Sequence, residues 1–342
     1  MRRLTIAQAI REAIREEMLR DETVFLLGED IGIFGGPFGV TAGLVEEFGE
    51  ERIRDTPISE LGFIGAAVGA ALSGMRPIVE VQFSDFIACG MDQVVNQAAK
   101  MRLISGGQLK VPLVLRAPVG ATGRAAQHAQ SPYAWFMHCP GLKVVGPSTA
   151  YDAKGLLKTA IRDDNPVLFF EHKLLYGSRS VGSAEESSSK ESAKVSSLAG
   201  DVPEEEYTIP LGRADIKKQG EDVTVIATLL MVQKALNVAQ ALHSQGIDVE
   251  VLDLRSFVPL DKQTILDSVR KTGRVVIVDE GCKTCGLAAE VSAVVAEEAI
   301  DYLDAPISRV TALDTPIPFS PVLESKVIPD ESRIAETIEN IT

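Results

Sequence analysis

The chain has 342 residues, of which 45% are hydrophobic and 24% are charged, and its formal net charge is −14. This is the composition of a globular protein long enough for two domains with ordinary cores. Nothing forms a basic stripe, which argues against nucleic acid or an anionic membrane as a partner. The apolar run 61–72 is too short, and too rich in glycine and alanine, to span a bilayer.

The N-terminus predicts a capped helix rather than a targeting segment. Thr5 and Gln8 have the spacing of a capping box, and the apolar residues that follow recur at helical intervals. Glu12, Glu16 and Glu17 argue against an organelle presequence, which avoids acidic residues. We therefore expect a cytoplasmic protein.

The first half of the chain alternates strands with helices. Short apolar runs bounded by glycine and proline, and separated by helices, are typical of a mostly parallel sheet covered on both faces. Helices are predicted after Glu60 and over 86–103 and 150–162. Strands are predicted over 24–27, 77–83, 111–116, 143–146 and 167–171.

The serine-rich stretch 177–206 interrupts this alternation and predicts a flexible insertion or linker. The fold class is therefore α/β with two open, mostly parallel sheets, in domains 1–176 and 207–342. In the second domain, helices are expected over 232–244, 262–270 and 288–302, with Asp261 as an N-cap and Gly246 and Gly273 as C-terminal glycines. Strands are expected over 223–227, 249–254, 274–279 and 307–312.

Glu60 is the residue that is most informative about function. It stands at the start of a helix made largely of small apolar residues, Glu-Leu-Gly-Phe-Ile-Gly-Ala-Ala-Val-Gly. A buried carboxylate is costly unless it has a partner. The small residues let another backbone approach the helix closely, so we expect a contact there.

His128 is the strongest candidate among the four histidines. It follows a glycine-rich loop after a predicted strand, where ligands bind in open α/β sheets. A lone histidine is more often a core residue, and that alternative stays open. His138 is a weaker candidate, and we assign His172 a surface role and His243 a structural one.

The four cysteines divide into two kinds. Cys89 and Cys139 lie singly in apolar surroundings and are predicted to be small core residues. Cys282 and Cys285 form a Cys-x-x-Cys motif without further metal ligands nearby in sequence. A redox pair and a chance occurrence both remain open there.

The chain contains Gly-Glu-Asp at 28–30, Pro-Ile-Ser-Glu-Leu-Gly-Phe at 57–63, Gln-His-Ala-Gln at 127–130 and His-Cys-Pro-Gly-Leu-Lys-Val-Val at 138–145. With these motifs it resembles, over nearly its whole length, the β subunit of the E1 component of 2-oxo acid dehydrogenase complexes. This family resemblance implies a transketolase-like pyrimidine-binding domain followed by a transketolase C-terminal-like domain.

The resemblance implies thiamine diphosphate as the cofactor. Glu60 would bond the aminopyrimidine ring and promote loss of the thiazolium C2 proton. Phe86 would stack on the pyrimidine, with Ile58 and Gln82 beside it. His128 would stand over the thiazolium and assist acyl transfer to lipoamide.

The resemblance also implies metal ions and partner subunits. In the family, a Gly-Asp-Gly motif on the α subunit holds Mg²⁺ and the diphosphate, and this chain has no such motif. The expected assembly is an α2β2 heterotetramer that serves a lipoyl-bearing E2 acyltransferase. The positions that match a structural potassium site in some relatives are Leu113, Ala160, Ile161, Asp163 and Asn165.

The predicted activity is that of an oxidoreductase acting on a 2-oxo acid, or on acetoin, with lipoamide as the disulfide acceptor. The runs 171–177 and 200–205, together with Phe86, resemble pyruvate and acetoin members, although many pyruvate enzymes have glutamine at the position of Cys89. The alternatives are a branched-chain 2-oxo acid E1 β subunit, a self-sufficient transketolase-like enzyme, and a non-catalytic α/β assembly subunit.

Overall fold

The computed structural model describes residues 1–177 and 199–342, so most of the serine-rich insertion lies outside the described residues. The described chain forms two compact units. The first comprises Met1–Val119 and Phe136–Leu211, and the second comprises Gly120–Trp135 and Gly212–Thr342. Within the described ranges, none of the helices is long and apolar enough to cross a membrane.

Strands and helices alternate along both units. The helices are α1 (Ile6–Arg20), α2 (Leu44–Phe48), α3 (Glu60–Leu72), α4 (Met101–Ile104), α5 (Tyr133–Met137), α6 (Ala150–Arg162), α7 (Leu230–His243), α8 (Lys262–Thr272), α9 (Leu287–Glu298), α10 (Pro321–Val327) and α11 (Glu331–Glu339). The strands of the first unit are β1 (Arg2–Leu4), β2 (Val24–Gly28), β3 (Ile53–Asp55), β4 (Arg76–Glu80), β5 (Val114–Val119), β6 (Lys143–Val145), β7 (Val167–His172) and β8 (Gly200–Val202). Those of the second are β9 (Asp215–Lys218), β10 (Val223–Ala227), β11 (Val249–Asp253), β12 (Ser256–Val258), β13 (Val275–Cys282) and β14 (Ser308–Ala312).

The first unit is built on a parallel sheet with the strand order β6-β7-β5-β4-β2-β3. Every residue of β2, β5 and β7 is buried, as expected for strands covered on both faces. Gly28 pairs with Glu80, and Glu80 pairs with Arg116, so the carboxyl ends of β2 and β4 lie side by side. A separate antiparallel pair joins β1 to β8.

The second unit is built on a sheet with the strand order β14-β13-β10-β11-β9. Its pairings are parallel except that β9 runs antiparallel to β11. Valines of β10, β11 and β13 pack against α7 and α11 in one apolar core. The predicted βαβ alternation and the α/β class with two mostly parallel sheets are confirmed.

A buried ion cluster joins three central strands of the first sheet. The Arg116 guanidinium on β5 donates to Glu80 on β4 at 2.6 Å and to Glu171 on β7 at 2.7 and 2.8 Å. Tyr176 donates its hydroxyl to the same Glu171 at 2.6 Å. Arg116 is 1% exposed, so its charge is compensated by these carboxylates rather than by water.

Helices α1 and α6 are held together by charges as well as by apolar packing. Lys154 and Lys158 on α6 are fully buried, and both donate to Glu16 on α1, at 2.8 and 2.6 Å. Lys154 also pairs with Glu12. The predicted capping box at Thr5 is confirmed, because the Thr5 hydroxyl and the Gln8 side chain each accept a backbone N–H.

The prediction of one continuous helix over 86–103 was wrong. A 3₁₀ helix spans Ser84–Gly90, a π-helical segment spans Gln93–Ala98 and only α4 follows as a short α-helix. Gly90 explains the first break, because a Cβ at that position would collide with the Ile64 side chain and would lie 3.2 Å from the Glu60 carbonyl oxygen. Tight packing against α3 therefore overrides local helix propensity.

Two other sequence assignments need correction. Cys89, predicted to be a core residue, is exposed, and Cys139 is only partly buried. His172, predicted to lie on the surface, is 2% exposed, and its Nδ1 accepts the backbone N–H of Leu174 at 3.2 Å. His172 ends β7, and the buried face of a central strand decides its environment. His243 is the last residue of α7, as expected.

We predict that Arg116→Met lowers the free energy of unfolding by about 3–5 kcal/mol, because it leaves Glu80 and Glu171 buried without their cation. Urea unfolding followed by circular dichroism measures this change. The control is Arg54→Met, which removes the exposed pair with Glu51 and should change stability by no more than about 0.5 kcal/mol. Equal effects of the two substitutions would contradict the importance of the buried cluster.

Candidate active site

Polar side chains lie close together at the edge of the first sheet where the carboxyl ends of its strands meet. Because Gly28 and Glu80 are paired at the ends of parallel strands, the residues that follow them emerge at the same edge. Asp30 follows β2 with φ 55°, and the Gln82 amide donates to its carboxylate at 3.1 Å. This edge is where open α/β sheets place their ligands.

Glu60 is the first residue of α3 and is 9% exposed. Unpaired backbone N–H groups lie at this helix N-terminus. Among the described residues, none donates a hydrogen bond to the Glu60 carboxylate. A buried acid without a protein donor is the expected state of a group that bonds a ligand.

Glu29 is a second acidic residue at this edge. No role was predicted for it from the sequence. Glu29 is 5% exposed, and its Oε1 has no hydrogen-bond partner in the described part of the chain. Burial, and then the nearby charges of Glu60 and Asp30, raise the pKa of Glu29 to about 7. Its place directly after a buried strand, inside the Gly-Glu-Asp motif, was the available signal.

The other residues predicted around the pyrimidine lie in the same unit. Ile58 is 84% exposed just before α3, which is unusual for an isoleucine. Phe86 is half-buried in the 3₁₀ helix that packs on the first turn of α3, and its ring meets that of Phe83 edge-on at 5.9 Å. Glu60 and the segment that carries Phe86 are therefore brought together by the close approach at Gly90.

His128 belongs to the second unit, in the segment Gly120–Trp135. It is half-buried and ends a single 3₁₀ turn, Ala126–His128. Acidic residues of the same unit hold this segment. Glu280 accepts the backbone N–H of Ala121 at 2.7 Å, and Glu324 accepts that of Gly123 at 2.8 Å.

Tyr133 anchors the other end of the His128 segment. Its hydroxyl donates to Asp279, which is fully buried, and its ring lies 5.0 Å from that of Phe257. Burial and the Asp279 carboxylate raise the pKa of Tyr133 well above its ordinary value, so the phenol keeps its proton. The backbone around His128 is therefore fixed at both ends by long-range contacts.

A cavity of about 800 Å³ lies in the second unit beside this segment. Residues on both sides of His128 line it, including Gln127 and Gln130. Cys282, Cys285 and residues that follow β14 also line it. This size is that of a small-molecule pocket.

All five residues predicted to hold potassium have hydrogen-bond partners within the protein. Arg76 donates to the carbonyl oxygens of Ile161 and Asp163 at 3.1 and 3.0 Å, and Arg102 donates to the Asn165 side chain at 2.6 Å. Leu113 accepts the backbone N–H of Val167, and the Ala160 carbonyl accepts that of Asp163. The guanidinium groups beside Ile161, Asp163 and Asn165 do not fit a cation bound at those three residues.

Models of two protein domains match the chain. The transketolase pyrimidine-binding domain matches residues 2–179, and the transketolase C-terminal domain matches residues 212–334. One solved structure, titled "Split gene transketolase, inactive beta4 tetramer", has the same fold, with a TM-score of 0.76. It is 23% identical in sequence, and the match covers 99% of this chain and 98% of the other.

Curated relatives match from end to end. The pyruvate dehydrogenase E1 component subunit beta of Rickettsia felis is 46% identical, over 99% of this chain and 98% of the relative. The acetoin:2,6-dichlorophenolindophenol oxidoreductase subunit beta of Bacillus subtilis is 47% identical, over 97% and 95%. The 2-oxoisovalerate dehydrogenase subunit beta of the same species is 45% identical, over 97% of each. With its two transketolase-type domains, the chain therefore belongs to the family of E1 β subunits of 2-oxo acid dehydrogenase complexes.

Proposed function

We propose that this chain is the β half of a thiamine diphosphate-dependent E1 enzyme that decarboxylates pyruvate, or cleaves acetoin, and transfers the acyl group to lipoamide. The observation that carries the proposal is Glu60, a buried carboxylate at the start of α3 without a donor among the described residues. Two of the relatives named above are named for pyruvate and acetoin, and this supports the substrate class. The third is named for 2-oxoisovalerate, the substrate of the branched-chain alternative.

The residues at the sheet edge fit the pyrimidine half of the cofactor. An aminopyrimidine offers N–H donors and ring nitrogens, and the Glu60 carboxylate supplies the acceptor that such a ring needs. The half-buried ring of Phe86 offers a flat apolar face for stacking. When bound, thiamine diphosphate supplies the electron sink that these side chains lack.

The raised pKa of Glu29 allows its carboxyl group to exchange a proton near neutral pH. With a pKa of about 7, the Glu29 carboxyl is partly protonated at neutral pH. A protonated Glu29 places no second negative charge beside Glu60, so the two buried acids can lie close together without repulsion between like charges. We assign Glu60 as the hydrogen-bonding carboxylate and Glu29 as the neighbouring group that takes up or releases a proton.

His128 is proposed to act on the substrate side. Its imidazole can donate to an oxygen of the substrate or to the acyl group during transfer to lipoamide. The contacts of Glu280, Glu324 and Tyr133 hold its segment in place.

We propose an α subunit as the partner, in an α2β2 assembly that serves a lipoyl-bearing E2. The relatives are named as β subunits, and the solvent face of α3 supports a tight contact, because it includes Gly62, Ala66 and Gly69. Ile58 and Leu61 beside it are 84% and 52% exposed, which is costly unless another chain covers them. Mg²⁺ and the diphosphate are assigned to that partner. In the described part of the chain, His, Cys, Asp and Glu side chains form no group of three or more suited to a metal ion.

Gentle purification of the tagged chain from its own cells tests this proposal. We expect a stoichiometric second subunit and thiamine diphosphate in the purified complex, both identified by mass spectrometry. Activity assays with pyruvate, acetoin and 3-methyl-2-oxobutanoate then separate the substrate classes, the last being the branched-chain alternative. A chain that emerges alone and without cofactor would contradict the proposal.

Glu60→Gln should lower turnover by about 10²-fold or more, because a neutral amide, unlike a carboxylate, cannot take up a proton from the cofactor. Deuterium exchange of the cofactor's C2 proton, followed by rapid-quench NMR, should slow by a similar factor. Glu46→Gln, on the exposed side of α2, is the matched control and should leave both rates unchanged. Near wild-type rates for both Glu60→Gln and His128→Ala would favour the non-catalytic assembly role.

Glu29→Gln should change how stability depends on pH. The ordinary glutamate pKa of 4.5 rises to about 7 on folding, so the folded chain holds a proton that the unfolded chain has lost. This contribution to stability is complete below pH 4.5 and is lost as the pH rises through about 7. Relative to wild type, the variant should gain about 1–2 kcal/mol between about pH 5 and pH 8, after allowance for solvent screening.

Urea unfolding of both chains across that range measures this difference, with Glu46→Gln as the control. Parallel stability curves for wild type and Glu29→Gln would show that Glu29 titrates normally.

Ala66→Leu should impair assembly, because the added bulk keeps a second backbone away from α3. We expect loss of the co-purifying subunit with little change in the thermal stability of the chain, since alanine and leucine have similar helix propensities. Ala241→Leu, at an exposed position on α7, is the matched control and should assemble normally. Size-exclusion chromatography with light scattering distinguishes the outcomes, and full assembly of Ala66→Leu would place the partner elsewhere.

A further inference from the structure

Cys282 and Cys285 lie on a tight turn, residues 282–286, between β13 and α9. Cys282 is the last residue of β13, and Gly286 is the N-cap of α9. A Cβ at Gly286 would collide with the Cys282 carbonyl oxygen, so the turn folds back on itself and admits only glycine there. Cys285 adopts a left-handed backbone with φ 54°. Both cysteines are exposed.

Neighbouring contacts fix this turn. Asp314 accepts the backbone N–H of Thr284 at 3.0 Å and its hydroxyl at 2.6 Å. Cys282 pairs with Ala312 in the sheet. The two sulfur-bearing residues are therefore held three positions apart on a restrained loop rather than on a freely moving one.

A buried carboxyl lies against the turn. Asp279 is fully buried, and its Oδ1 accepts the backbone N–H of Gly281 at 3.0 Å. Its Oδ2 has no hydrogen-bond partner among the described residues and faces Gly281 and Gly286, on either side of the cysteine pair. Burial, and then the charges of Asp314 and Asp279, raise the pKa of Cys282, so its sulfur is a thiol at neutral pH.

Both cysteines also line the cavity of about 800 Å³ that Gln127 and Gln130 line. The cavity gives small molecules access to the two sulfurs. Among the residues that line it, Cys282 and Cys285 are the only cysteines. Cys89 and Cys139, by contrast, belong to the first unit.

We propose that Cys282 and Cys285 form a reversible disulfide, a redox modification site that peroxide closes and a small dithiol reopens. This site does not depend on the proposed E1 function. Because both cysteines line the cavity, closing the disulfide changes the cavity wall beside the His128 segment.

The disulfide forms in two steps. The first cysteine, as thiolate, attacks one peroxide oxygen, so that an S–O bond forms, the O–O bond breaks and one water leaves after protonation. The second sulfur attacks the resulting sulfenic acid and displaces a second water. In total, two thiols and one hydrogen peroxide give one disulfide and two waters. A dithiol reverses the change by two exchange steps and becomes a cyclic disulfide itself.

Two probes test the proposal on the full chain, purified with any subunit that accompanies it. The first is hydrogen peroxide at about pH 8.5, near the ordinary pKa of a cysteine, followed by peptide mass spectrometry. The second is phenylarsine oxide, whose arsenic bridges two thiols only when both are within reach. Cys282→Ser and Cys285→Ser are the test variants, and Cys89→Ser is the control.

We expect a peptide cross-link between Cys282 and Cys285 that dithiothreitol reverses, together with one tightly bound arsenical per chain. Each test variant should lose the cross-link and bind the arsenical at least about 100-fold more weakly, because the second attachment is intramolecular. Cys89→Ser should behave like wild type. Oxidation that stops at separate sulfinic acids, a cross-link between chains, or tight arsenical binding by Cys282→Ser would overturn the proposal.

Discussion

The ion cluster of Arg116 with Glu80 and Glu171 is the interaction on which the candidate site depends. It joins the three central strands of the first sheet close to their carboxyl ends. Burial makes each of these charges costly alone, so the cluster is stable only when all three are in place. It thereby fixes the edge from which Glu29, Asp30 and Gln82 emerge.

Two buried acids, Glu29 and Glu60, determine the electrostatics at that edge. Glu60 lies at a helix N-terminus, beside unpaired backbone N–H groups. Glu29 has no such donors at its Oε1, and it responds by holding its proton to a higher pH. Neighbouring carboxylates in different environments can take different roles, one accepting a hydrogen bond and the other exchanging a proton. The two side chains are identical, so the difference between them comes from their backbone positions: Glu60 begins a helix and Glu29 follows a strand.

The second unit shows the same use of buried acids for a different purpose. Asp279 and Glu280 on β13 hold the His128 segment through Tyr133 and Ala121. The same strand ends at Cys282, so the segment and the cysteine turn share one structural support and one cavity. A substitution in β13 would therefore affect both.

The sequence by itself determined the alternation of strands and helices, the capping box at Thr5, the helix that starts at Glu60 and the family. These follow from local periodicity, capping chemistry and contiguous motifs. Only the tertiary structure decided that the 86–103 region breaks into short helices, because Gly90 packs against α3. It also decided that His172 is buried, that Cys89 is exposed and that Glu29 joins Glu60. Those outcomes depend on contacts between residues far apart in sequence, and local pattern does not specify which distant residues meet.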